Sequence, residues 1–278
     1  FIKKDNDEKP NLNKEDNFSC EFNNCNIYSK FMNCTLEYII FNKCNLTNTN
    51  FELSDISDGI IIDSTLDMII ICDTNLSGTK IVNTYIEDLE FRDKYKSKLD
   101  EKTFIDKIKL RKKDRDEYEG IYTVYENIAD KFKDNTLNNN FGEYYYLCRK
   151  TQRNVLKPIP KISSTLSLVS CGYGERPVYA IYFSLFIILL FSILYLFFGM
   201  KLDGEIITYS YIIKFHSLRD WLKYFNESLN LSVGMFAGVG VTEAEPSTRS
   251  YILSNIEMLI GVIMVGIGTG ALVKKIVR

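Results

Sequence analysis

The sequence predicts a multidomain membrane protein with an N-terminal β-solenoid, a helical linker and a C-terminal membrane domain of two spans. Three observations support this fold class. Apolar residues recur at every fifth position early in the chain, two later runs are apolar enough to cross a bilayer, and a glycine-rich segment lies between those runs. The predicted domains are an N-terminal segment at 1–17, the solenoid at 18–92, the linker at 93–177 and the membrane domain at 178–278.

A ladder of large apolar residues with a period of five runs through residues 31–91. This period matches neither the 3.6-residue repeat of a helix nor the two-residue repeat of a strand. It is typical of a solenoid in which each five-residue unit forms one side of a coil. Small side chains fill most positions two residues earlier, with Ile39, Ile69 and Leu89 as exceptions. The ladder consists of Phe31, Leu36, Phe41, Leu46, Phe51, Ile56, Ile61, Leu66, Ile71, Leu76, Ile81, Ile86 and Phe91.

The order of a small residue, Asn or Asp, and then Leu or Phe resembles the pentapeptide-repeat family over about residues 18–92. The resemblance implies a right-handed quadrilateral β-helix with four repeats per coil, and therefore about three coils. Phe22 and Ile27 would form an earlier piece, one residue out of register. Some soluble members of the family mimic DNA and inhibit type II topoisomerases. We interpret this domain first as a rigid spacer or assembly surface, and second as a sensor of an unknown cytoplasmic ligand or protein.

The linker is predicted to contain an antiparallel helical hairpin. Residues 94–118 are a dense charge run, which is typical of a solvated connector or exposed helix. Apolar residues at helical spacing over 122–132, turn residues at 135–140 and a second helical run over 141–156 indicate the hairpin. We interpret the aromatic cluster at 144–146 as hairpin core rather than as a cofactor site.

Two apolar runs, 178–200 and 251–273, are predicted to cross the membrane. A helix of this length exceeds the roughly 30 Å hydrocarbon core of a bilayer. Basic residues concentrate before the first run and after the second. The positive-inside rule therefore places both termini and the solenoid in the cytoplasm of a multi-pass cell-membrane protein.

A re-entrant segment is predicted between the two spans. Residues 218–235 have the pattern of a helix that is too short and too polar to span, with Ser217 as its N-cap. A glycine-rich stretch follows directly. Irregular backbone at membrane depth is tolerated only where it lines water, ions or protein.

The order of span, helix, Val-Gly stretch, acidic residues, proline and glycine-bearing span resembles the two-transmembrane pore-loop channels of the potassium-channel superfamily. The resemblance covers about residues 178–278, where 238–243 aligns with the family's TVGYGD and Pro246 falls in register. It implies a homotetramer whose backbone carbonyls replace the hydration shell of potassium or sodium ions. The implied selectivity filter consists of Gly238, Val239, Gly240, Val241 and Thr242.

The filter differs from the family pattern at three positions. Gly238 replaces a Thr that completes the innermost ion site, Val241 replaces a bracing Tyr, and Thr242 replaces a Gly whose backbone conformation is costly for other residues. We therefore expect fewer ion sites and weak discrimination between potassium and sodium. Glu243 and Glu245 are predicted to line the outer mouth and to raise the local cation concentration there.

Four further residues have predicted roles in the membrane domain. Trp221 and Glu257 are expected to support the pore helix, and for Glu257 a structural hydrogen bond is preferred over direct ion ligation. Gly266 and Gly268 allow either close helix packing or a gating hinge, and both interpretations stay open.

The predicted function is a weakly selective, tetrameric channel for monovalent cations that is gated through its cytoplasmic region. Two alternatives are a non-conducting, membrane-anchored pentapeptide scaffold and a membrane-tethered DNA mimic that binds a topoisomerase. The net charge of -2 argues against a general nucleic-acid binder. The seven cysteines, without CxxC spacing, are interpreted as reduced cytosolic thiols. We predict no catalytic site, no cofactor and no metal other than permeant ions, with membrane lipid and further copies of the chain as partners.

Overall fold

The computed structural model describes residues 20–208, 218–239 and 243–277, except for the side chains at 104, 105 and 218. The chain divides into two compact units, and the division falls between Lys161 and Ile162. The first contains a β-solenoid and a helical hairpin. The second contains two long apolar helices and a shorter helix that follows the first of them.

The first unit begins with a β-solenoid of about four turns. Its strands stack in parallel into three sheets, and single bridges through Thr35, Asp55, Asn75 and Lys98 form a fourth side. The strands are β1 (Glu21–Asn23), β2 (Asn26–Ile27), β3 (Lys30–Met32), β4 (Ile40–Asn42), β5 (Asn45–Thr47), β6 (Asn50–Glu52), β7 (Ile60–Ile62), β8 (Thr65–Asp67), β9 (Ile69–Cys72), β10 (Lys80–Val82), β11 (Tyr85–Ile86), β12 (Leu89–Phe91) and β13 (Phe104–Ile105).

The register confirms the five-residue ladder. Phe41 lies beside Ile61, and Ile61 lies beside Ile81, so one coil contains four five-residue units. Phe22 lies beside Phe41, one residue short of that spacing, which confirms the predicted offset of the first piece. The expectation of three coils was wrong, because this first piece and β13 extend the stack at both ends.

The small residues of the repeat hold neighbouring coils together. Each buried hydroxyl at this position donates a hydrogen bond to a backbone carbonyl of the preceding coil, which a larger apolar side chain cannot do. The donors are Thr49, Ser54, Ser64, Thr74, Thr79 and Thr84. Ile39, Ile69 and Leu89 occupy the same position and are equally buried, so the position requires burial more strictly than it requires a hydroxyl.

The corners of the solenoid place one residue in five in the left-handed backbone region. Asn and Asp tolerate this conformation and fill most of the corners, whereas Leu53 and Met68 adopt it at φ of 49° and 50°. The corner residues other than Gly78 are Asn24, Asn33, Tyr38, Lys43, Asn48, Leu53, Asp58, Asp63, Met68, Asp73 and Asn83.

A helical hairpin follows, formed by α1 (Arg115–Asp134) and α2 (Asn138–Gln152). Asp114 caps α1 by accepting a hydrogen bond from the Glu117 amide. The Phe132 and Tyr144 rings stack with centroids 5.0 Å apart. Tyr144 is buried in the hairpin, so the aromatic cluster contributes to its core.

Helix α1 covers the last coil of the solenoid. Asn127 Nδ2 donates to the Leu89 carbonyl at 2.8 Å, and Lys131 Nζ lies 2.9 Å from the Asp93 carboxylate. Burial alone would raise the Asp93 pKa, but hydrogen bonds from Ser97 and Lys131 outweigh it and hold that pKa below its ordinary value. A terminal cap of this kind is what a solenoid needs to shield its open apolar end.

The second unit is built around two long apolar helices. They are α4 (Pro177–Phe198), with mean hydropathy 2.6, and α6 (Tyr251–Ile276), with mean hydropathy 2.1, and both are long and apolar enough to span a membrane. They coincide with the two predicted spans. The helix α5 (Leu218–Phe236) lies between them in sequence and contacts both. Ser217, the predicted N-cap, lies outside the described residues.

Two smaller features of this region were not predicted. Helix α3 (Pro158–Cys171) crosses the boundary between the units and leads through a 3-10 turn at Gly172–Gly174 into α4. A three-stranded antiparallel sheet joins β14 (Met200–Leu202), β15 (Glu205–Ile207) and β16 (Glu245–Pro246), with β14 in the centre.

Candidate ion-conduction site

The C-terminal end of α5 forms a Schellman cap on Gly238. The Gly238 amide donates to the Met235 carbonyl at 3.1 Å, and the Val239 amide donates to the Gly234 carbonyl at 3.0 Å. Gly238 has a φ of +70°, where a side chain would be strained. This backbone requirement explains why the helix ends on a Gly at this position.

The predicted filter is described only at its start. Gly238 lies in the helix cap, and the Val239 side chain is 67% exposed. Gly240, Val241 and Thr242 lie outside the described residues, so their assignment as filter residues stays a prediction. The negative end of the α5 dipole nevertheless falls at the start of this stretch, where it favours cations.

Glu257 links the three helices α4, α5 and α6 of the second unit. Its side chain on α6 accepts a hydrogen bond of 2.7 Å from the Tyr195 hydroxyl on α4, and another from the Ser232 hydroxyl on α5. The Ser232 hydroxyl also lies 2.8 Å from the Ile188 carbonyl of α4. Glu257, Tyr195 and Ser232 are completely buried. The carboxylate therefore has the contacts of a structural residue behind α5.

The glycines of α6 differ in their surroundings. A Cβ atom at Gly261 would lie 1.9 Å from the Phe236 carbonyl oxygen, so α6 can approach the end of α5 only without a side chain there. A Cβ at Gly266 would meet nothing within 4 Å, and one at Gly268 would lie 3.7 Å from Ala180 Cβ. Close packing therefore accounts for Gly261 but not for Gly266, and the hinge at Gly266 or Gly268 stays a prediction.

The segment after the predicted filter is attached to the C-terminal end of α4. Ser250 Oγ donates to the Gly199 carbonyl at 2.9 Å, and Ser247 Oγ donates to the Phe198 carbonyl at 3.3 Å. Both serines are buried, and their hydroxyls satisfy carbonyls that the end of a helix leaves without intrahelical partners. The chain that returns from the predicted filter is thus fixed to α4 before α6 begins.

The predicted mouth residues are solvent-exposed on this segment. Glu243 and Glu245 are both exposed. Glu245 lies in β16, where its carboxylate is 3.8 Å from the ammonium group of Lys201 on β14. Both side chains of this pair are at least half exposed, so water and salt screen the interaction.

Trp221, the other residue predicted to support α5, stacks on Phe225 with centroids 5.5 Å apart and packs against the apolar core of this unit.

An ion pair connects the other ends of the long helices. Lys274 Nζ, in the last turns of α6, lies 2.5 Å from Glu175 Oε1, in the turn that enters α4. The Glu175 side chain is only 4% exposed, whereas the Lys274 side chain is 43% exposed. Sequence reasoning missed this contact because the partners are 99 positions apart and each reads as an ordinary boundary charge.

The described part of the chain holds no group of three His, Cys, Asp or Glu side chains that could bind a metal ion. All seven cysteines are free thiols in the structure. Burial raises the pKa of the Cys148 thiol to about 12. That thiol is therefore neutral and unreactive at physiological pH.

No protein-family model matches the chain, and no curated protein resembles it closely enough to count as a relative. The fold itself defines the class: a β-solenoid of about four turns, consistent with pentapeptide repeats, followed by two helices long and apolar enough to span a membrane.

Proposed function

We propose that the chain is one subunit of a homotetrameric, weakly selective channel for potassium or sodium, gated through its cytoplasmic solenoid region. The observation that carries the proposal is the support of α5. Glu257 bonds this helix to both apolar helices, and α5 ends in a glycine cap at the start of the predicted filter.

The proposed chemistry follows from helix polarity and carbonyl ligands. The C-terminal end of α5 carries a partial negative charge that favours a cation over an anion. A single loop cannot surround an ion, so four copies would supply rings of carbonyl oxygens in place of the hydration shell. Glu243 and Glu245, exposed on the segment after the filter, would concentrate cations at the outer mouth.

The proposed gating route runs through the Glu175–Lys274 ion pair. Glu175 lies in the turn between α3 and α4, and Lys274 lies near the end of α6. In the proposed topology both residues are on the cytoplasmic side. Displacement of the linker would therefore act on the end of α6. Gly266 or Gly268 would then provide the bend that opens the pore.

Flux through purified protein in liposomes tests the proposal. Potassium and sodium efflux should exceed that of empty liposomes, with less than about tenfold preference between the two ions because the filter lacks the full set of sites. A Gly240→Val variant should abolish flux while the particle remains tetrameric, and Lys113→Gln, at an exposed position of the first unit, is the control outside the pore. A monomeric particle, or a tetramer that conducts no better than empty liposomes, would refute the channel.

The alternative with a specific observation in its favour is a non-conducting, membrane-anchored scaffold. Gly238 already serves as a helix cap, so fewer residues are left to form ion sites. Tetramers without flux would support this scaffold. Inhibition of gyrase supercoiling by the purified protein would instead support the topoisomerase-binding alternative.

A further inference from the structure

Helix α3 carries an exposed apolar stripe. Ile159, Ile162, Leu166 and Val169 are 83%, 63%, 58% and 46% exposed. At 100° per residue these four side chains fall within an arc of about 80° on one side of the helix. In contrast, α1 buries its apolar side chains within the first unit. An exposed apolar stripe of this kind is typical of a surface that contacts another protein or a membrane.

The charges around α3 select an anionic partner. Residues 144–174 contain five basic residues, Arg149, Lys150, Arg153, Lys157 and Lys161, and no acidic residue. Lys157 lies immediately before α3 and Lys161 lies in its first turn, and both are exposed. By helical spacing, Lys161 lies on a different side of α3 from the apolar stripe, as in helices whose cationic side chains flank a buried apolar face.

The position of α3 in the chain places it beside a bilayer. Only a short turn at Gly172–Gly174 and two further residues separate its last residue, Cys171, from the start of α4. The turn is held closed by a hydrogen bond of 2.8 Å between the Ser164 and Tyr173 hydroxyls. The C-terminal end of α3 therefore lies close to the point where α4 would enter the hydrocarbon.

We propose that α3 lies in the plane of the membrane surface, with its apolar stripe among the acyl chains and Lys157 and Lys161 at anionic phospholipid headgroups. A 14-residue helix is about 21 Å long, enough to contact several lipids. Apolar burial and basic charge together give an amphipathic helix stable binding to an anionic surface. The proposal depends on membrane insertion of α4 but not on ion conduction, so a failed flux experiment leaves it intact.

Tryptophan quenching in liposomes tests the proposal on the full-length chain. Leu166→Trp puts a fluorophore in the stripe, and Ser167→Trp puts one about 100° further around the helix, outside the stripe. The native Trp221 contributes the same background to every variant. We expect brominated lipid to quench the Leu166→Trp emission and aqueous iodide to leave it unchanged, with the reverse for Ser167→Trp. Ile162→Trp serves as a second stripe probe if Leu166→Trp does not assemble.

Headgroup preference is measured with the same probes in phosphatidylcholine vesicles that contain one quarter phosphatidylglycerol. Bromine on the phosphatidylglycerol should quench Leu166→Trp roughly twofold more, per brominated lipid, than bromine on the phosphatidylcholine. Replacing Lys157 and Lys161 by Gln should remove this preference while quenching by total brominated lipid persists.

Three results would overturn the proposal. Iodide quenching of Leu166→Trp equal to that of Ser167→Trp would place the stripe in water. Protection of Leu166→Trp from both iodide and brominated lipid would mean that another part of the chain or a second copy covers the stripe. Equal quenching of Leu166→Trp by the two brominated lipids, with Lys157 and Lys161 intact, would show that the helix does not prefer anionic headgroups.

Discussion

The Glu175–Lys274 ion pair makes a strong prediction about how the two long helices are held together. Its nitrogen–oxygen distance is 2.5 Å, and its acidic partner is almost fully buried. Lys274→Gln takes away one positive charge that compensates the desolvated Glu175 carboxylate. A fully buried pair broken in this way loses about 3–5 kcal/mol, whereas exposed pairs lose at most about 1 kcal/mol. Because Lys274 is 43% exposed, we expect an intermediate loss of about 2 kcal/mol.

A double-mutant cycle isolates the contribution of the pair. Thermal or denaturant unfolding in detergent is measured for Lys274→Gln, Glu175→Gln and the double variant, with Lys275→Gln as the control one residue away. The coupling free energy should be about 1–2 kcal/mol, and the double variant should be more stable than Lys274→Gln alone. Strict additivity, or an equal loss in Lys275→Gln, would contradict the assignment of this contact as the link between the helices.

Four further predictions concern single positions. Glu257→Ala should destabilise the second unit by about 3 kcal/mol, because the buried Tyr195 hydroxyl loses its acceptor and Ser232 keeps only the Ile188 carbonyl. Glu257→Gln should lose less, as measured by unfolding in detergent. Asp93→Asn should weaken docking of α1 on the solenoid by about 2 kcal/mol, seen as faster hydrogen exchange in α1. The Asp93 pKa lies below its ordinary value of 3.8, so the carboxylate contributes its full docking stability above that pH and loses it as the pH falls through the lowered pKa. The Asp93→Asn variant should show no such loss in acid. Met68→Asn should stabilise the solenoid by about 1 kcal/mol, because Asn adopts the left-handed backbone conformation of this corner with less strain than Met. Thermal unfolding measures the gain. Gly261→Ala should lower the free energy of unfolding by about 1–3 kcal/mol, because the added methyl group overpacks the contact with α5. The methyl group of Gly266→Ala would lie in open space, so that variant should unfold with no loss of stability.

The solenoid was largely predictable because its repeat is local. Each five-residue unit carries its own inward side chain, so a period read from the sequence gives the register of the coils without knowledge of distant contacts. The one-residue offset at Phe22 was visible for the same reason. The extension to β13 was not, because the insertion after Phe91 interrupts the period before the stack ends.

Helix α3 was missed because the second helical run was predicted to end at residue 156, and Pro158 and Pro160, which follow it, are typical of a helix end. Pro158 is the first residue of α3, where proline fits since the first turn needs no amide donor. Both interpretations hold, because α2 ends at Gln152 and a new helix then begins at Pro158. The stripe that starts at Ile159 was the available sequence signal.

Contacts between distant segments account for the rest of what the sequence did not predict. The sheet of β14 to β16 consists of strands of two or three residues, too short for an alternating pattern, and β16 pairs with β14 across the whole pore-loop segment. The Gly238 cap was not predictable either. A glycine after a helix is compatible with both a cap and a filter, and only the backbone hydrogen bonds distinguish the cap.

Polar contacts at three levels along the helix axes, one at each end and one in the middle, connect α4 to the segment that contains α6. The burial of each contact indicates where the two helices can separate. Helices in lipid lack a hydrophobic force between them, so such contacts fix their register. At one end Ser247 and Ser250 are buried, and in the middle Glu257 is buried and also holds α5. Only at the Glu175–Lys274 end is one partner substantially exposed, so only there can water replace part of the lost interaction as the helices part. In the proposed channel this end faces the cytoplasm, where the solenoid would act, and the two buried levels would keep α5 in place while the gate moves.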